Sequence, residues 1–94
     1  MGKQPTEQQP KQIQPTNAEN FHKAIQIGQT AIKEGKTKAD AVRMMFPMVF
    51  EEPREVIWQA FIDGAGLTDK GAVTYLYNVR RAHKKGKLKA YFED

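Results

Sequence analysis

The chain has 94 residues, with fifteen Lys/Arg against eleven Asp/Glu, a formal net charge of +4, two histidines and no cysteine. That length suits one domain with a single small core, which supplies too few rigid neighbours to hold an active site, so a binding module is expected and not an enzyme. Disulfides and thiolate-bound zinc are excluded by the missing cysteine.

The first sixteen residues, MGKQPTEQQPKQIQPT, hold three prolines, five glutamines and a single isoleucine. Residues 1–15 are therefore expected to form a disordered Gln/Pro-rich tail, and residues 16–94 a single helical domain. The N-terminus lacks an apolar h-region, and no stretch approaches the roughly eighteen apolar residues of a membrane span. The expectation is a soluble, cytoplasmic protein with no membrane contact, nucleoid-associated if it binds DNA.

Thr16 stands three residues before Glu19 in the form of a capping box, and Gly35 suits the position past a helix end. Between them Phe21, Ala24, Ile25, Gly28, Ala31 and Ile32 follow three-and-four spacing, which predicts a first helix with one apolar face. Thr37 caps a second helix carrying Ala41, Val42, Met45 and Phe46. Pro47 removes a donor and disfavours helix at the residue before it, so this helix is expected to stop there.

Pro53 reads as a first-turn proline, with Glu51, Glu52 and Glu55 complementing the positive end of the helix dipole from an exposed turn. Val56, Ile57, Ala60, Phe61 and Ile62 form the apolar side of this third helix, with Trp58 beside them, until Gly64-Ala65-Gly66 ends it. A fourth helix starts after Thr68 and runs through Ala72, Val73, Leu76 and Val79 towards Gly86. Only KLKAYF, near the end, alternates polar and apolar residues. The fold class is all-α, a small domain of about four helices.

The corner between helices three and four has a specific form. FIDGAGLTDKGAVTYLYN resembles the DNA-binding helix-turn-helix family, with Gly66 at the turn, Leu67 at the buried turn position, Thr68 as cap, and Ala72 and Tyr75 facing inward. The resemblance lies within residues 58–78, and the helix-turn-helix it implies spans about 53–85. Ile62 departs from the pattern, which usually has a small residue there.

Charge placement points the same way, because residues 69–90 carry seven Lys/Arg against one acid. A basic run of this kind suits a polyanionic partner. If Ala72, Leu76, Val79 and His83 face inward, an outward stripe remains. On it Lys70, Thr74 and Asn78 are candidates for base edges of double-stranded DNA, while Thr68, Tyr77, Arg81, Lys84, Lys85 and Lys87 are candidates for phosphates. Asp69 is read as part of the cap. The resemblance implies a small regulator of transcription or replication of bacterial or phage type, and a homodimer is expected, since operators are commonly read by two-fold pairs.

The rival reading is a helical protein-interaction adaptor, docking through Met44, Met45, Phe46, Met48 and Phe50. An RNA-binding module lies between the two, although Tyr77 and Tyr91 alone make a thin stacking platform. No cofactor is expected. His22 and His83 lack ligand spacing, so no metal is expected either.

Overall fold

The computed structural model describes residues 14–92; the expected tail at 1–15 falls almost wholly outside them. The described residues are helical, as the sequence predicts: α1 Ala18–Lys33, α2 Lys38–Val49, α3 Arg54–Ala65, α4 Asp69–Lys84 and a single turn, α5 Lys89–Phe92. Helix α1 packs on α2 and α3, α4 packs on α3 and α2, and α5 packs on α2. None of these helices is long and apolar enough to cross a membrane.

Caps fix the ends. Thr37 Oγ1 accepts the Asp40 amide at 3.1 Å and Thr68 Oγ1 accepts the Gly71 amide at 3.0 Å, both as expected. Helix α1 differs by one position, because Asn17 and not Thr16 is the cap, its side chain accepting from the Asn20 amide at 3.0 Å. The backbone of Thr16 is engaged elsewhere, as described below. After α1 and again after α4 the chain turns back through a left-handed glycine, Gly35 (φ 90°) and Gly86 (φ 79°). In each case two amides return to the last helical turn: Gly35 and Lys36 to the carbonyls of Ile32 and Ala31, Gly86 and Lys87 to those of His83 and Ala82.

Two further expectations are corrected. Helix α2 does not stop at Pro47 but continues to Val49. Proline in a helix interior costs about 3 kcal/mol or more, and here burial of Met45, Phe46 and Val49 along one face offsets it. Gly64-Ala65-Gly66 ends α3 as expected: the helix runs to Ala65, with Gly64 inside its last turn, and Gly66 is the left-handed residue past it. In KLKAYF, where polar and apolar residues alternate, Leu88 is buried and Lys89–Phe92 form a helical turn. Finally, Ile32 and Val73 stand on the surface and not on the apolar faces assigned to them; Val73 is 48% exposed.

The core is built from Phe46, Phe61, Met45, Ile57, Val42 and Val49, at the meeting of α1, α2 and α3. Helices α1 and α3 cross where each has a glycine. A methyl group added at Gly28 would lie 2.8 Å from the carbonyl carbon of Gly64, and one at Gly64 would lie 3.2 Å from Ile25 Cα, while the thioether of Met45 presses on both places. At the far end of the molecule a ring cluster attaches α5. His83 stacks on Phe92 with centroids 4.5 Å apart and planes 4° from parallel, and Phe46 and Phe50 meet both rings edge-on.

The sequence places Glu52 on an exposed first turn with Glu51 and Glu55, but in the fold it is buried, at 7% exposure. Its two carboxylate oxygens accept the backbone amides of Thr16 (2.7 Å) and Asn17 (2.9 Å), which ties the start of α1 to the α2–α3 corner. Burial pushes the carboxyl pKa up, but the amides of Thr16 and Asn17 and the Thr16 hydroxyl outweigh it, so the group stays below its ordinary value of 4.5.

Three outcomes test this account. Phe61→Ala should cost about 3–5 kcal/mol in urea unfolding, since the ring is fully buried. Gly28→Ala, which in an exposed helix would stabilise by roughly 0.5–1 kcal/mol, should instead destabilise by about 1–3 kcal/mol because the crossing has no room for a methyl. The lowered pKa of Glu52 means that its contribution is present above pH 4.5 and is lost as the pH falls through the lower folded value. The unfolding midpoint of the parent should therefore fall on acidification below pH 4.5 more steeply than that of Glu52→Gln.

Candidate nucleic-acid interface

Helix α4 is held from one side only. Gly66, in the left-handed conformation (φ 73°), donates its amide to the Ile62 carbonyl at 3.1 Å, ends α3 and sends the chain sharply away. Leu67 is buried under the turn, and Thr68 opens α4. Ala72, Leu76 and Val79 are buried against α3 and α2, with His83 half-buried at the end of the same face, as the stripe argument requires.

Opposite them lies an exposed surface. Lys70, Thr74, Tyr77, Asn78, Arg81, Lys84 and Lys85 are all exposed, and at about 100° per residue they fall on one side of the helix. Among the described residues no carboxylate pairs with any of the cations of α4. The last turn carries Arg81, His83 and Lys84, which suits the negative end of the helix dipole and adds to a positive pole there.

The candidate residues divide by position. Lys70, Thr74 and Arg81 lie near the centre line of the stripe. Asn78 lies to one side, in a notch of about 100 Å³ between α4 and α2 that it shares with Arg43 and the half-buried Tyr75. Tyr77 and Lys84 lie on the opposite, α3-facing flank, with the Arg81 guanidinium 5.7 Å from the Tyr77 ring. Thr68 serves as the cap, its hydroxyl oxygen engaged by the Gly71 amide. Lys85 closes the helix and Lys87 lies past the Gly86 turn, so Lys87 stands off the stripe.

Sequence reasoning missed what α3 and α2 contribute. Arg54 and Trp58 of α3 face Val73 and Arg80 of α4 across a groove of about 300 Å³, and Arg43 of α2 borders Asn78. Part of this was readable: Val73, Tyr77, Arg80 and Lys84 have the spacing of one helical flank. The partners on other helices had no signal in the sequence.

The proposed Met/Phe docking surface is reduced by the fold. Met45 and Phe46 are in the core, where the crossing of α1 and α3 and the ring cluster need them, and Met44, Met48 and Phe50 are half-buried. Met44 and Met48 remain open to a shallow groove against Ile27 of α1. Among the described residues no three His, Asp or Glu side chains gather as metal ligands would.

No family model, curated protein or solved structure matches the chain.

The Thr68 cap satisfies a free amide in the first turn of α4. Thr68→Ala should lower stability by about 1 kcal/mol, and native-state hydrogen exchange should show the Gly71 amide losing protection before those of Ala72 and Leu76.

Proposed function

We propose that the chain binds double-stranded DNA, with α4 lying in the major groove as the reading helix and its basic C-terminal half against phosphates. The observation that carries this reading is the continuous exposed stripe on α4, polar and short at its N-terminal end, cationic at its C-terminal end, and unneutralised by any described carboxylate. An α-helix fits the major groove, and donors and acceptors on short side chains suit base edges, while Arg and Lys suit phosphate. The resemblance of residues 58–78 to the helix-turn-helix family supports the same assignment.

On this reading Lys70 and Thr74 approach bases, Asn78 reaches them from the α2 side with Arg43 behind it, and Arg81, Lys84 and Lys85 hold the backbone. A single unit of this size offers few specific contacts, so the protein acts as a dimer on a two-fold site, as a regulator of transcription or replication.

An electrophoretic shift with duplex DNA at two salt concentrations tests the proposal. Binding should weaken steeply with salt, and each phosphate contact removed at Arg81, Lys84 or Lys85 should flatten the slope of log K against log salt by up to about one unit. Lys70→Ala, Thr74→Ala or Asn78→Ala should each cost about 1–3 kcal/mol on a preferred site and little on random duplex. A triple alanine variant at Arg81, Lys84 and Lys85 that binds as tightly as the parent overturns the assignment. So does the absence of any shift at low salt, which would instead favour a protein partner at Met44 and Met48.

A further inference from the structure

The groove between α3 and α4 has a composition that duplex reading does not require. Val73 and Leu76 line it with apolar surface, and each helix contributes an aromatic ring, Trp58 from α3 and Tyr77 from α4. Each ring already carries a guanidinium: Arg54 lies 5.5 Å from the indole centroid and Arg81 lies 5.7 Å from the phenol centroid. Arg80 and Lys84 add two more cations, and no acid lines the groove. Glu55 is the nearest described counter-charge, 3.9 Å from Arg54 Nε, and both groups are exposed.

Two further details indicate a ligand with flat faces and negative charge. Val73 and Tyr77 are 48% and 61% exposed, so apolar and aromatic surface stands open beside four cations. The Trp58 Nε1 group is buried with no acceptor among the described residues, a cost of about the same order as a lost hydrogen bond. A volume of about 300 Å³ is at the lower end of small-ligand sites.

We propose that this groove binds an unpaired nucleotide of a single-stranded nucleic acid, its base stacked between Trp58 and Tyr77 and its flanking phosphates held by Arg54, Arg80 and Lys84. Aromatic faces accept any base, and arginine both stacks and neutralises phosphate, so the site selects for unpaired bases with little regard to sequence. Arg80 and Lys84 are neighbours one helical turn apart, giving charge at two points along a strand. An acidic peptide would satisfy the cations but would leave both ring faces without a flat partner. The inference stands on the groove alone and not on the duplex reading, although Arg81 and Lys84 would serve in both.

Trp58 is the one tryptophan in the chain, so its fluorescence reports the site directly. Titration of the full chain with short oligo(dT) and oligo(U) should give saturable quenching, the tighter of the two telling DNA from RNA. An abasic oligomer of the same length and polyglutamate should bind at least about fivefold more weakly and leave the emission nearly unchanged. Tyr77→Ala, whose exposed ring is not needed for folding, should weaken oligonucleotide binding by about 5- to 150-fold, whereas Lys36→Ala, which removes a positive charge outside the groove, should change it less than about twofold. Circular dichroism and the melting temperature confirm that both variants fold. Lack of quenching by either oligonucleotide, equal affinity for the abasic oligomer, or an unchanged Tyr77→Ala variant overturns the proposal. Duplex binding is read separately by gel shift, so either reading can fail while the other holds.

Discussion

Everything in this small fold depends on how closely α1 and α3 can approach. Gly28 and Gly64 remove the side chains that would hold the two helices apart, and the flexible thioether of Met45 fills what space remains from the side of α2. A domain of this size has few large buried residues, so close backbone contact replaces bulk as the way to exclude water. The crossing fixes α3, and α3 fixes the rest. Gly66 turns the chain only one residue after α3 ends, and Leu67 pins the turn to the core, so the direction of α4 follows from that of α3. The surface stripe is thus set by a contact on the other side of the molecule.

Two polar groups withdrawn from water show how differently the interior treats need and surplus. Glu52 is buried as an anion, with both oxygens taking backbone amides that the start of α1 would otherwise leave exposed. It therefore closes the open end of the three-helix core and is matched by its partners. The Trp58 N–H is matched by nothing, and it lies where α3 faces the basic helix. The matched group lies at the α2–α3 corner, whereas the unmatched one lies within α3, on a residue that lines the groove with α4.

What the sequence made legible was mostly local. Caps at Thr37 and Thr68, the glycine at Gly35 and the buried faces of α3 and α4 follow from rules that act within one or two turns, and they hold. The failures share a cause in longer-range packing. Pro47 obeys a local rule until the burial of Val49 outweighs it, and Glu52 looks exposed until residues 35 and 36 positions away donate to it. Met45 and Phe46 read as a sticky surface because a run of Met and Phe gives no sign of which members face inward. The candidate site divides the same way. The stripe on α4 was readable from one helix period, whereas Arg54, Trp58 and Arg43 belong to it only through tertiary structure.

That division has a consequence for how α4 is used. A helix docked along one face leaves more than half of its circumference in water, and here the exposed arc is not uniform. Its centre carries Lys70, Thr74 and Arg81, one flank closes against α2 at Asn78 and Arg43, and the other opens against α3 as an aromatic and cationic groove. Charge alone would draw any polyanion to all three. Shape would separate them: on the proposed readings a rigid duplex would meet the protruding centre, and a stacked base would need the recess beside Trp58 and Tyr77. Val73 belongs to the recess and contributes nothing to a phosphate, so its exposure is accounted for by the groove and not by the stripe.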